Sequence, residues 1–246
     1  MEKSKNFTFV ILIPVYHSQD LIKELYNQIL KYLQNENFFI CFVDDSKNNE
    51  TLEKINFYFK SNFLVLKRKK EENFSTRYSA SMEGFTWIKK NINSKYVVEI
   101  DADLAHHPKD IMKGLKKLSE TNADLVIGSK YQKNSIVKNR PISRKFISKA
   151  ITMICQFLFS KKISDYTNTF RFYSMELVKD FTLNKIIFKS PIGHLNNLLY
   201  IIKKKYNIKE IETEYVEINN ESMIKFSELG KYLYDFLRCI FINMTR

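Results

Sequence analysis

Residues 97–108 read VVEIDADLAHHP. Two carboxylates, Asp101 and Asp103, stand two positions apart at the end of an apolar run. In extended backbone that spacing points both side chains the same way. Oxygen ligands side by side suit a hard cation, Mg²⁺ or Mn²⁺. An acidic pair alone is a weak signal, and its weight comes from two other polar strand ends. Pro14, Val15 and Tyr16 close the run FTFVILIPVY, and Asp44 and Asp45 close FFICFVDD. Carboxylates gathered on one rim repel one another, so the arrangement calls for a cation or a donor-rich ligand.

The elements that position these residues follow from periodicity. Apolar, β-branched runs over 7–16, 38–45, 63–68 and the segment ending at Asp101 predict strands, as does 123–129. Between them, Leu21, Leu25, Ile29 and Leu33 recur at helical spacing over 21–34, with Asp20 as the expected cap. Helices are also expected over 50–60, about 75–91 and 109–119, the last opened by Pro108. This alternation predicts an α/β fold with a mostly parallel sheet and helices on both faces. Ligands of such sheets bind outside the carboxyl ends of the strands, where the polar residues lie.

The formal charge is +13, from 40 Lys and Arg against 27 Asp and Glu. It favours an anionic partner, either a phosphorylated substrate or an anionic membrane surface. Basic residues gather at Lys67–Lys70, at Lys130–Lys149 and at Lys203–Lys205, although any single run reads most simply as a solvated surface. A nucleic-acid binder explains the charge but not the acidic rim. Cys41, Cys155 and Cys239 form no CxxC, which points to neither zinc nor disulfides and to a reducing, cytoplasmic location. The first residues lack a cleavage signal, and no stretch approaches the ~20 apolar residues of a membrane span.

Beyond residue 130 the rhythm changes. Residues 141–160 and 226–244 carry apolar residues at helical spacing, with Arg144, Lys145 and Lys149 near the front of the first. Two readings stay open for this pair: helices packed on the sheet, or a basic, apolar platform in a membrane interface. DYTNTFRFYS leads into a short strand, and 209–218 alternates like an edge strand.

Six motifs in order then resemble the family-two glycosyltransferases of GT-A fold, closest to the dolichyl-phosphate mannosyltransferases and the bacterial polyprenyl-phosphate glycosyltransferases. They are IPVYHS, FVDDSKNNET, SASMEGF, EIDADLAHHP, DLVIGSKY and DYTNTFRFY, and the resemblance runs from about residue 8 to 230. The resemblance implies a GT-A domain over 1–220, with a nucleotide-sugar half to about 130 and an acceptor half over 131–220. A C-terminal amphipathic helix would occupy 221–246.

The resemblance also implies roles. Pro14, Val15, Tyr16, Asp44, Asp45 and Asp101 would hold a GDP- or UDP-linked sugar. Asp103, with Asp101, would bind the divalent cation on the diphosphate. Lys130, Arg144, Arg171 and Lys225 would meet the phosphate of a polyprenyl phosphate acceptor. Asp165 is the candidate base. The implied reaction is inverting sugar transfer on the cytoplasmic face of a membrane. The rivals are transfer to a surface-glycan hydroxyl and a non-catalytic nucleotide-binding domain.

The chain departs from the family at several points. Ala105 replaces the Gln after D-A-D-L, Thr76 and Tyr78 replace two glycines, and Ser222 to Lys225 replace G-x-S-K. His106 and His107 are read as one loop cap and one solvent-facing ring, with an imidazole metal ligand as the alternative.

Overall fold

The computed structural model describes residues 6–68, 76–182, 188, 190–218 and 229–245. Strand and helix alternate through β1 (Asn6–Val15), α1 (Ile22–Leu33), β2 (Phe38–Asp44), α2 (Glu50–Tyr58), β3 (Phe63–Lys67), α3 (Arg77–Asn91) and β4 (Asn93–Glu99). A 3-10 turn at Pro108–Asp110 leads into α4 (Ile111–Thr121), β5 (Leu125–Ser129) and β6 (Ile136–Lys138). Next come α5 (Ile142–Leu158), β7 (Arg171–Ser174), α6 (Met175–Phe181) and α7 (Ile192–Lys203). The chain closes with β8 (Ile208–Glu212), β9 (Glu214–Val216) and α8 (Leu229–Thr245).

Seven strands form one sheet in the order β3-β2-β1-β4-β7-β5-β8, while β6 and β9 pair separately. The large sheet is parallel except at β7, which runs antiparallel to both β4 and β5. Strand alternation decides the two cores. In β1, Phe9, Ile11 and Ile13 enter the cluster built with α1, α2 and α4, whereas Val10 and Leu12 enter the one built with α3, α6 and α7. Each fully buried Ile or Leu contributes roughly 1.5–3 kcal/mol. Gly84 explains one motif position, since a Cβ there would stand 2.3 Å from a methyl of Leu12. Only a bare helix face lets α3 lie this close to the sheet.

The chain runs outward from β1 through β2 to β3, then returns to the other side of β1 at β4. That reversal opens a crevice at the carboxyl ends of β1 and β4, where sheets of this kind take their ligands.

The structure corrects several expectations. Asp20 caps nothing: α1 starts after Leu21, whose N–H is satisfied by the Ser18 carbonyl at 3.0 Å. Periodicity did not reveal α6, packed on β4 and β7, or α7, packed between α6 and α8. The single strand expected over 209–218 breaks at Thr213 into β8, in the main sheet, and β9, which leaves it. The break has a purpose in the fold. Thr213 Oγ and Glu214 N–H both donate to Asp110 at 3.0 Å, and Val216 N–H donates to the Ala105 carbonyl at 2.9 Å. β9 therefore clasps the back of the D-x-D loop.

The packed-helix reading holds only in part for α5, whose Cys155, Ile151 and Leu158 meet the core. Its buried positions are Ser148, Thr152 and Cys155, while Ile142, Phe146 and Phe157 are 84%, 75% and 83% exposed. α8 buries Phe236, Cys239 and Ile240 but exposes Leu233, Leu237, Phe241 and Met244. Cys155 and Cys239 join the same cluster, so the two helices are neighbours there. Among the described residues no helix is long and apolar enough to cross a membrane.

Candidate active site at the strand ends

Tyr16 follows β1 and is about half exposed, its ring in edge contact with His17. Pro14 and Val15 are buried beneath it. Asp44 and Asp45 are buried too, and neither is bare. Lys67 Nζ lies 2.8 Å from Asp44 Oδ2 and also donates to the carbonyls of Ser46 and Asn48, while Ser46 N–H donates to Asp44 Oδ1 at 2.8 Å. Arg68 Nη1 lies 2.8 Å from both oxygens of Asp45, and its Nε reaches Glu83. The expected rim of mutually repelling carboxylates is therefore corrected here, because each carries its own cation. Lys67 and Arg68, read from sequence as solvated surface, are the partners. Parallel pairing of β2 with β3 sets Asp44 opposite Lys67. Asp44 is fully buried, so any influence on a ligand passes through its partners.

The same holds for the first carboxylate of the D-x-D. Arg77 Nε bonds Asp101 Oδ1, and Thr169 Oγ reaches Asp101 Oδ2 at 3.3 Å. Arg77 also binds the buried Glu99 at the end of β4. Burial works against the Arg77 charge, but Asp101 and Glu99 outweigh it and raise its pKa. Sequence reasoning missed Arg77, Glu99 and His194. One signal was available: Arg77 opens α3, where the positive helix end disfavours a cation unless carboxylates face it.

Asp103 differs. No Lys or Arg pairs with it among the described residues, and it stands exposed at the rim. Its Oδ1 accepts the Ala105 N–H at 3.0 Å. The chain turns between them through Leu104 at φ 59, a conformation that branched side chains rarely adopt and that marks a constrained loop. Crowding by surrounding protein, then the Asp101 charge, push the Asp103 carboxyl up to about 6.

The acceptor-side residues divide. Lys130 Nζ and Asp165 form a buried ion pair at 2.9 Å. Asp165 also accepts N–H bonds from Lys130, Thr167 and Asn168. Burial pulls its pKa up, but Lys130 and these donors win and hold it near 2. A carboxylate so fully committed is not a positioned base, and Lys130 is not a free phosphate ligand. Both expectations are corrected.

Arg171 is corrected as well. Buried within β7, it donates to the carbonyls of Asn168 and His194 at 2.8 and 3.0 Å, knitting two segments together. Arg144 pairs with Glu217, whose carboxylate also accepts Tyr215 OH at 3.1 Å. Lys130 Nζ and Arg140 both sit 5.5 Å from the Tyr215 ring centre, and Asp103 and Arg144 act electrostatically on the same tyrosine. A basic, aromatic wall thus stands near Asp103, with Arg140, counted in the sequence only among the basic residues of 130–149, as a further member. Lys225 lies outside the described residues, as do Ser222, Met223 and Ile224.

His107 caps the turn at Pro108, accepting the Lys109 N–H at 3.2 Å. His106, the other of the pair, does not face solvent: it is buried and stacked on Phe170 at 4.9 Å. Burial, then the Lys130 charge, depress its pKa to about 3. The unfolded ring takes a proton below about 6.5 while the folded one refuses it, so stability present above 6.5 drains away as pH falls toward 3. His106→Phe keeps the stacking and should flatten the thermal midpoint between pH 6.5 and 5. An unchanged slope would show that His106 is not the group responsible.

Among the described residues no cluster of three or more His, Cys, Asp or Glu could enclose a metal. The donor set nonetheless fits a hard cation shared with a ligand. Asp103 offers a carboxylate without a cation partner, whereas both oxygens of Asp101 are already engaged. A cation would thus rest on Asp103 more than on the pair, and ligand oxygens and waters would complete its shell.

A family model described as Glycosyl transferase family 2 matches residues 10–182. The dolichol-phosphate mannosyltransferase of Pyrococcus furiosus is 32% identical over 237 residues, which cover 94% of this chain and 62% of that protein. The chain thus spans less than two thirds of that relative. The polyprenol monophosphomannose synthase of Mycolicibacterium smegmatis is 27% identical over 163 residues, covering 62% of this chain and 61% of that one. Among solved structures, the Mycobacterium tuberculosis glucosyl-3-phosphoglycerate synthase with Mn²⁺, UDP-glucose and phosphoglyceric acid superposes with a TM-score of 0.71 at 12% identity. That superposition covers 97% of this chain and 80% of the other. At such identity the likeness is one of fold, and the fold is GT-A-like.

Proposed function

The chain belongs to glycosyl transferase family 2, and from that premise we propose that it moves a hexose, mannose being the first candidate, from a nucleotide sugar to a polyprenyl phosphate. One observation carries the acceptor choice: the candidate base, Asp165, is buried, held near pKa 2 and locked to Lys130. A sugar hydroxyl acceptor needs a base to take its proton. A phosphate acceptor does not, because its second pKa is about 6 and it is mostly dianionic near neutral pH. Arg140, over the Tyr215 ring, suits that charge, while Arg144 beside it is paired with Glu217. The mannosyltransferase names of the two relatives support the sugar and the lipid.

In this reading the nucleotide lies across the ends of β1 and β2, against Tyr16 and the Asp45–Arg68 pair. The sugar lies by Asp101, and Asp103 would hold Mg²⁺ or Mn²⁺. A bound cation supplies charge stabilisation to the departing nucleoside diphosphate. The acceptor phosphate attacks the anomeric carbon from the Arg140 side, inverting its configuration. The deciding measurement is nucleoside diphosphate release from GDP-mannose or UDP-glucose, with and without short polyprenyl phosphate, in Mg²⁺, Mn²⁺ or chelator. Release that depends on both lipid and metal is expected. Transfer to sugar hydroxyls without transfer to the lipid would overturn the reading.

The exposed apolar side of α5, with Arg144, Lys145 and Lys149 at its front, suits an anionic membrane surface where such a lipid resides. Phe146→Asp and Phe157→Asp should each weaken sedimentation with anionic vesicles about tenfold or more. Binding unchanged by both would remove α5 from the membrane.

A further inference from the structure

α5 turns small polar residues inward and aromatic ones outward. Ser148 and Thr152 are buried, whereas Phe146 and Phe157 are exposed. The inward hydrogen bonds all reach one region. The Tyr131 hydroxyl bonds Ser148 Oγ, and the Tyr166 N–H donates to Thr152 Oγ at 3.3 Å. Tyr131 follows Lys130 and Tyr166 follows Asp165, so both flanks of that buried ion pair are tied to α5. The front of the helix holds the basic wall as well. Pro141 joins it to Arg140, whose Nη2 donates to the Arg144 carbonyl at 3.4 Å.

Such a helix is weakly anchored in water. A neutral hydrogen bond contributes little net of the one that water offers, whereas burying a phenylalanine contributes more. In water the exposed aromatics therefore pull α5 to roll inward. The bonds to Tyr131 and Tyr166 and the packing of Ile151 and Leu158 oppose that roll. An apolar partner on the outer side tips the balance toward the outward pose. α5 contains Arg144, Lys145 and Lys149 but no acidic residue, and Lys161 and Lys162 follow it. That charge commits the partner to an anionic membrane surface.

We infer that Tyr131 and Ser148 are positioning residues that transmit membrane docking of α5 to the acceptor side of the site. The chain then turns over faster on a bilayer than in solution, even with an acceptor that stays in water. This rests on the transferase reading above, with α5 as the docking helix, and adds what docking does to the site.

The test uses the full chain, GDP-mannose or UDP-glucose, and a water-soluble phosphate of one or two isoprene units. Nucleoside diphosphate release is measured at saturating acceptor, with and without acceptor-free anionic vesicles. Concentrating the acceptor on a vesicle lowers its apparent KM but leaves kcat alone, so kcat reads the effect of docking. Wild type should gain about fivefold in kcat. Tyr131→Phe/Ser148→Ala removes both partners of one hydrogen bond and so strands no polar group. It should sediment with the vesicles as wild type does and keep its rate in solution, but gain less than about twofold. Wild type that sediments yet is not accelerated overturns the inference without the variant, as does a double variant accelerated as fully as wild type. Wild type that does not sediment overturns it through α5. Release in no arm overturns the transferase reading itself, a result distinct from the others.

Discussion

Asp103→Asn should lower kcat at least a hundredfold and leave the thermal midpoint at neutral pH unchanged or higher. The two effects have one cause. Asp103 has no cation partner among the described residues, and crowding plus the Asp101 charge hold its pKa up at about 6. The folded state therefore keeps a proton on it that the unfolded state, titrating near 3.8, has already released. Above about pH 6 ionisation of this carboxyl opposes folding, and the amide removes that opposition. Below about pH 4 the two proteins should melt alike. A midpoint that fell along with the activity would make Asp103 a structural residue. Activity that survived, equal in Mg²⁺ and in chelator, would remove the cation from Asp103.

Breaking the Lys130–Asp165 pair should have the opposite signature. Its two side chains are 4% and 0% exposed, so removing either partner strands a charge away from water. Asp165→Ala and Lys130→Met should each cost about 3–5 kcal/mol of stability, and the double variant clearly less than the two together. Urea unfolding of the four proteins measures this. Additive losses would show that the pair is not coupled. Acid should act through the same group. A carboxylate held near 2 contributes stability that is complete above 3.8 and is lost as pH falls through about 2. Loss of activity in these variants should track unfolding, with KM of the remaining folded protein little changed. A large drop in kcat in fully folded Asp165→Asn would instead restore Asp165 to the chemistry.

Much of the first half of the chain was legible because its signals are local. Buried strands such as FTFVILIPVY announce themselves by an unbroken apolar run, and α1 by residues recurring every three or four positions. The acceptor half was less so. α7 is apolar on most sides, so no stripe stands out, and its Gly193 matters only because Tyr78 presses against it from 115 residues away. β8 and β9 read as one alternating strand because alternation does not record which sheet each piece joins. α5 misled in a third way. Its pattern gives an apolar side but not a direction, and the fold turns most of that side outward, burying Ser148, Thr152 and Cys155 and packing Ile151 and Leu158 on the core.

The candidate site divides along the same line. Which residues stand at the strand ends, and that they are Tyr16, Asp44, Asp45, Asp101 and Asp103, follows from sequence alone. So does the α/β alternation that makes those ends converge. What each carboxylate is there to do depends on its partner, and the partners arrive from far along the chain. Lys67 reaches Asp44 through strand register, Arg77 reaches Asp101 from the opening of α3, and Lys130 reaches Asp165 across a loop. A charge is set by its residue type, but its pKa and its freedom to meet a ligand are set by what packs within a few ångströms. Only the tertiary structure decided that four of the five acidic candidates carry a Lys or Arg partner and that, among the described residues, Asp103 does not.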